Sequence, residues 1–244
     1  SSTKDMPKCD VVLVTLKTTQ NHLLADMLVP VLKEDSLVIL VQNGIDYEEM
    51  LVEELVQKGI NVAVGGGLAF ICASRTGAGE VTHYDYGKLT LGIMANHSSR
   101  HFDAVASDFV DAGVEIVKAD SLLAARWKKL VWNVPFNPLS VTEHCDTGEL
   151  LDTQEKRDYV RDIMLEVINA GNREGAKIDL GFADEMIEST LVMKPYLPSM
   201  RLDYDAGRKM ELDAILRNPI ARAKRNGFDM PLTSQLLKKI EQTV

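Results

Sequence analysis

The chain has 244 residues, 45% of them hydrophobic and 26% charged, which is ordinary globular composition and enough for one large domain or two modest ones. A formal net charge of -9 argues against the broad basic face of a nucleic-acid binder, while a few local cations would still suffice for an anionic small molecule. The three cysteines, Cys9, Cys72 and Cys145, lack metal or redox spacing and read as buried thiols, and no run is apolar enough for a membrane span or signal peptide, so a reducing, cytoplasmic setting is expected.

In chain order, "DVVLVTL" (Asp10 to Leu16) is a β-branched run suited to a strand buried on both faces. "TTQNHLLADMLVPVL" follows as a helix capped by Thr18 or Thr19, with Leu23, Leu24, Met27 and Leu28 on one side. "SLVILVQ" (Ser36 to Gln42) is a second buried strand ending at Asn43-Gly44, and a helix with an acidic start runs from about Tyr47 to Lys58. "NVAVGGGLAF" gives a third strand. Short glycine-separated strands then form a meander, followed by a helix near Ser98 to Ala112 and a last strand, "VEIVKA". This pattern is α/β, the second half of a doubly wound domain over residues 1–119. From residue 120 to 244 the reading is all-α, with stripes such as Val160, Ile163, Met164, Val167 and Ile168 at helical spacing.

The segment "WKKLVWNVPFNPLS" places Lys129, Asn133 and Asn137 four apart, on one helical face, with Lys128, Trp132 and Phe136 on the adjacent one. A protonated lysine among amides can polarise a carbonyl and deliver a proton, so Lys129 is the better chemical candidate. The competing reading has both amides capping backbone freed by Pro135 and Pro138, with Pro138 ending or bending the helix. Downstream, Ser199 stands where a helix should begin, as its N-cap or as part of a carboxylate site. Glu211 is read on the same helix, either facing Lys129 or pairing with Arg208 and Lys209 at the surface. Lys17 and Asn43 each follow the carboxyl end of a strand, where open α/β sheets bind anionic, nucleotide-like ligands. His83 reads as a satisfied sheet histidine. His97 and His101 share helical spacing but lack an acidic third ligand, so no metal is expected.

Together, "TLKTTQ", "VQNGI", "GEVTHYDYGKLTLG", "WKKLVWNVPFNPLS" and "SMRLDYDAGRKMELD" resemble, in order, the motifs of the ketopantoate reductase (2-dehydropantoate 2-reductase) family. The resemblance implies a partial Rossmann-like NADP-binding domain followed by the family's helical domain. It also implies NADPH-dependent reduction of ketopantoate, or a related 2-keto acid, to the 2-hydroxy acid in pantothenate and coenzyme A synthesis. By the same resemblance, Lys129 is the general acid and Glu211 completes the catalytic site; Asn133, Asn137 and Ser199 contact substrate, and Lys17 and Asn43 contact NADPH. The chain departs from the pattern at Thr147 and Tyr196, where many members carry asparagines, and at Pro135. A member should also begin with a strand leading into Gly-x-Gly-x-x-Gly. None precedes "CDVVLVTL", so a further segment of about 60 to 70 residues is expected, without which NADPH binding and activity should be weak.

A small-molecule partner is expected, with neither nucleic acid nor membrane, and a homodimer is compatible. The rival readings are another hydroxy acid dehydrogenase with a similar helical domain, such as a 3-hydroxyisobutyrate or glycerol-3-phosphate dehydrogenase, and a non-catalytic helical binding or oligomerisation protein. The Asn-Pro pair and the Gly-Arg-x2-Glu match count against the first rival, and residual binding of 2-keto acids would count against the second.

Overall fold

A computed structural model describes residues 2–95 and 97–243. By contacts the chain divides into two units, Ser1–Gln42 with Tyr47–Ala125, and Asn43–Asp46 with Arg126–Val244. In the first, a five-stranded sheet runs in the order β1 (Cys9–Val14), β2 (Leu32–Val41), β3 (Ala63–Gly77), β4 (Glu80–Ile93), β5 (Ile116–Lys118). The pairs β1–β2, β2–β3 and β4–β5 are parallel, and β3–β4 is antiparallel.

Strand β2 shows why the sheet is doubly covered. Leu37, Val38, Ile39 and Leu40 are all fully buried. Val38 and Leu40 pack with Leu24 and Leu28 of α1 (Leu24–Leu28) and with Leu51 and Leu55 of α2 (Tyr47–Gln57). Leu37 and Ile39 point the other way, to Val105 and Ala106 of α3 (His101–Asp111). Alternate side chains of a strand face opposite ways, so a wholly apolar run requires helices on both faces. Burying each such side chain contributes roughly 1.5–3 kcal/mol.

Strand β1 lies where "DVVLVTL" was read; among the described residues it pairs with β2, and Leu13 is 42% exposed. Several other expected elements are revised. Neither Thr18 nor Thr19 caps a long helix. Lys17 precedes a 3-10 turn, Thr18–Leu23, followed by the single short helix α1, because Pro30 limits its extension. The separate strands of the meander merge into one long β3–β4 hairpin whose register shifts absorb the irregular spacing. His83 lies on β4 of that hairpin, in the strand where it was read, with its side chain at the surface. His97 precedes α3 and is not on a helix with His101; its Nδ1 accepts from the Val64 N–H at 3.1 Å. Each of the cysteines is only partly buried, none in a disulfide.

The second unit contains most of α4 (Leu122–Thr142), then α5 (Gln154–Arg173), α6 (Phe182–Val192), α7 (Ser199–Asp205), a π-helical turn (Asp213–Arg217), α8 (Asn218–Arg225) and α9 (Pro231–Thr243). Its core includes the stripe Val160, Ile163, Met164, Val167 and Ile168 of α5. Glu166, also on α5, accepts the N–H groups of Leu232 and Thr233 at 2.8 Å each and the Thr233 hydroxyl at 2.6 Å, closing the N-terminus of α9. No described helix is long and apolar enough to cross a membrane.

Candidate active site

Helix α4 carries the central row. It continues through Pro135 and Pro138 to Thr142, so Pro138 does not end it. A proline inside a helix costs about 3 kcal/mol, and here Leu130, Val131, Val134 and Phe136 are fully buried and hold the segment in place. At its end the Ser140 hydroxyl donates to the Asn137 carbonyl at 2.7 Å, and Arg201 of α7 donates to the Ser140 carbonyl at 3.0 Å.

Asn133 and Asn137 are buried, and among the described residues Asn133 Nδ2 and Asn137 Oδ1 have no hydrogen-bond partner. The amide atoms are therefore not fully used as caps for broken backbone. A buried amide atom left open costs about 1–3 kcal/mol, so these two atoms are free to bond a ligand that enters the site. Lys129 belongs to the same face and is part-buried. Its ammonium is pushed down from 10.5 to about 7, by burial first and by the charge of Arg126 second, with Glu211 opposing both. Lys128 is exposed, and its ammonium lies 5.2 Å from the Phe182 ring centre. The aromatic row has its own bonds: Trp132 stacks on Phe136 and on Tyr196 and donates to the Thr190 hydroxyl at 3.0 Å.

Ser199 and Glu211 are not on one helix. Helix α7 stops at Asp205, where Gly207 takes φ 63° and the Arg208 N–H returns to the Asp203 carbonyl at 2.8 Å. Ser199 is the exposed first residue of α7, after Pro198, and does not cap it. Glu211 sits in the connection before the π-helical turn, 5% exposed, while Arg208 pairs with Asp203 at 2.9 Å; the surface pairing considered for Glu211 with Arg208 gives way to this arrangement. Thr147 and Tyr196 bond to each other: the Thr147 N–H donates to the Tyr196 carbonyl and the Tyr196 N–H to Thr147 Oγ1, both at 3.2 Å.

Lys17 is exposed just beyond β1, and Asn43 is part-buried just beyond β2, the adjacent parallel strand. Gln42, between the strand and Asn43, donates to the Leu16 carbonyl and to Asn21 Oδ1, each at 2.7 Å, fixing the chain ahead of Lys17. Its position inside "VQNGI" was visible in sequence, but its bond across to Leu16 was not. Arg126, 4% exposed and three residues before Lys129, was also missed; carrying the polar row one turn toward the N-terminus would have found it.

Residues 1–96 match the family described as ketopantoate reductase PanE/ApbA, and residues 121–243 match ketopantoate reductase PanE/ApbA C terminal. The 2-dehydropantoate 2-reductase of Nostoc sp. is 42% identical over 241 residues, covering 97% of this chain and 74% of that protein. The chain belongs to the ketopantoate reductase family. Among solved structures, the 2-dehydropantoate 2-reductase of Geobacter metallireducens superposes with a TM-score of 0.91 at 35% identity, over 100% of this chain and 80% of that one. The reductase of Methylococcus capsulatus gives 0.88 at 32% identity, over 99% and 76%. The α/β sheet followed by helices is thus the ketopantoate reductase fold, and every motif quoted above falls within the matched regions.

Proposed function

We propose that this protein reduces 2-dehydropantoate, or a closely related 2-keto acid, to the 2-hydroxy acid using NADPH. The observation that carries the reading is the α4 row, in which a lysine with a pKa near 7 shares a face with two buried amides, each with one side-chain atom, Asn133 Nδ2 and Asn137 Oδ1, that has no partner among the described residues. A cation and an amide beyond the carboxyl ends of two adjacent parallel strands, Lys17 and Asn43, fit a phosphorylated nucleotide. NADPH, when bound, supplies hydride to the keto carbon. Lys129 holds the proton that the developing alkoxide takes, and a pKa near the working pH favours that transfer. Glu211 favours the charged form of Lys129, in part offsetting its burial and the charge of Arg126. Asn133 and Asn137 orient the keto acid, with Ser199 offering a hydroxyl to its carboxylate.

The test is NADPH oxidation by the protein from its full reading frame, with ketopantoate and other 2-keto acids compared by kcat/KM. Lys129→Ala should lower kcat by about 10²- to 10⁴-fold, the range for a positioned general acid, while Lys128→Ala should change it less than about twofold. Equal losses in the two variants would remove Lys129 from the role. No turnover with any 2-keto acid would reject the reaction itself.

A further inference from the structure

The turn Asn43–Asp46 leads from β2 into α2, yet its contacts group it with the helical unit. Three attachments explain this. A Cβ on Gly44, whose φ is 88°, would lie 2.4 Å from the Ala214 carbonyl oxygen, so the turn sits directly on the π-helical segment. The Ile45 N–H donates to that same carbonyl at 3.3 Å. Asn218 Nδ2 donates to the Ile45 carbonyl at 3.0 Å.

The fourth attachment reaches further. Arg222 of α8 pairs through one terminal nitrogen with Asp46, a residue held at φ 83°, a conformation side chains with a Cβ rarely adopt. Its Nε donates to both oxygens of Glu174, at 2.9 and 2.7 Å. Glu174 also accepts the indole N–H of Trp127 at 2.8 Å, and Trp127 is fully buried on α4, two residues before Lys129. The side chains of Arg222, Asp46 and Glu174 are each 15% exposed or less, so these ion pairs are shielded from solvent more than most surface pairs. Asn226 Nδ2 donates to Glu174 as well, at 2.6 Å. One guanidinium therefore joins the turn bearing Asn43 to the helix bearing Lys129.

We infer that Arg222 is a positioning residue for the reduction, holding the Asn43 turn and the Lys129 helix in register by binding Asp46 and Glu174 at once. The inference rests on the reading of Asn43 as a cofactor contact and of Lys129 as the proton donor. A planar guanidinium presents separate N–H edges to two carboxylates, which a lysine ammonium does with much less directional control. Hydride transfer is sensitive to placement, since a misalignment of about 1 Å can cost 10²-fold in rate.

The decisive variant is Asp46→Asn in the protein from its full reading frame, because it is nearly isosteric and leaves Arg222, Glu174 and Trp127 bonded to one another. NADPH affinity, read by fluorescence titration without any keto acid, should weaken about tenfold, and kcat should fall about tenfold, while the keto acid KM stays within about twofold. Arg222→Met should reproduce this split, Arg222→Lys should recover part of it, and the double variant should be no worse than Arg222→Met alone. Wild-type NADPH affinity and kcat in Asp46→Asn would overturn the inference. A parallel loss of NADPH affinity, keto acid affinity and melting temperature in that variant would also overturn it, reducing the cluster to fold support. Wild-type protein that binds NADPH but reduces no keto acid would sink the functional reading alone, and the affinity series would still decide what Arg222 does for the turn.

Discussion

Lys128 and Lys129 are adjacent and chemically identical, yet one lies over the Phe182 ring in solvent and the other is drawn into the fold with its pKa near 7. Helical geometry separates them by about 100°, so the i, i+4 row with Asn133 and Asn137 was legible in the sequence. Its electrostatics were not, because Arg126 and Glu211 act on Lys129 through space. The pH dependence follows from those signs. A lysine that donates a proton must be charged, so with Lys129 in the proposed role kcat should fall as pH rises through about 7. Glu211→Gln removes the influence that raises the pKa and should move that limb to lower pH, whereas Arg126→Met removes a repulsion and should move it higher. A pH–rate series that left the limb in place in both variants would refute the assignment. Stability responds separately. With the folded pKa below the ordinary 10.5, the unfolded chain holds a proton that the folded chain has released between about 7 and 10.5, so stability gains with pH across that window and the cost of the buried charge is greatest below it.

Among the elements, α4 shows propensity losing to packing: its two prolines predict a stop, and the buried side chains around them keep it helical to Thr142. Nothing in the structure explains the choice of proline at 135. The opposite outcome occurs after Asp205, where Gly207 takes a positive φ and breaks what reads in sequence as a single helix from Ser199 past Glu211. The cap of α9 was hidden for another reason, since the carboxylate that closes it, Glu166, comes from α5, 66 residues before Leu232. Glu166→Ala should lower unfolding free energy by about 1.5–3 kcal/mol, as expected for hydrogen bonds to a charged group. Denaturant titration can check this against Glu155→Ala, an exposed first-turn residue of α5 whose loss should cost no more than about 0.5 kcal/mol.

At the scale of the molecule, protection should follow how many layers cover each strand. Strand β2 is enclosed by helices on both faces, whereas the far part of the β3–β4 hairpin leaves Ile71, Val81 and Tyr84 at least half exposed. Amide hydrogen exchange should therefore be slowest at Leu37 to Leu40 and fastest, within the sheet, near the Arg75 to Gly77 end of β3. Uniform protection along the hairpin would contradict this. The same layering explains why "SLVILVQ" was read correctly as a buried strand: its alternate apolar side chains meet helices on both faces.

By itself, the sequence determined the local periods: the two-faced apolar run of β2, the α5 stripe, and the polar row of α4, together with the motifs that mark the ketopantoate reductase family. These depend on residues within one or two turns of each other, where backbone geometry alone fixes which side chains share a face. Only the tertiary structure decided that the row's amides stay open, that Glu211 is buried off the helix of Ser199, that Thr147 and Tyr196 satisfy each other, and that Arg222 ties the Asn43 turn to α4. The pairings among these join groups dozens of residues apart, through burial and charge, which no spacing along the chain encodes.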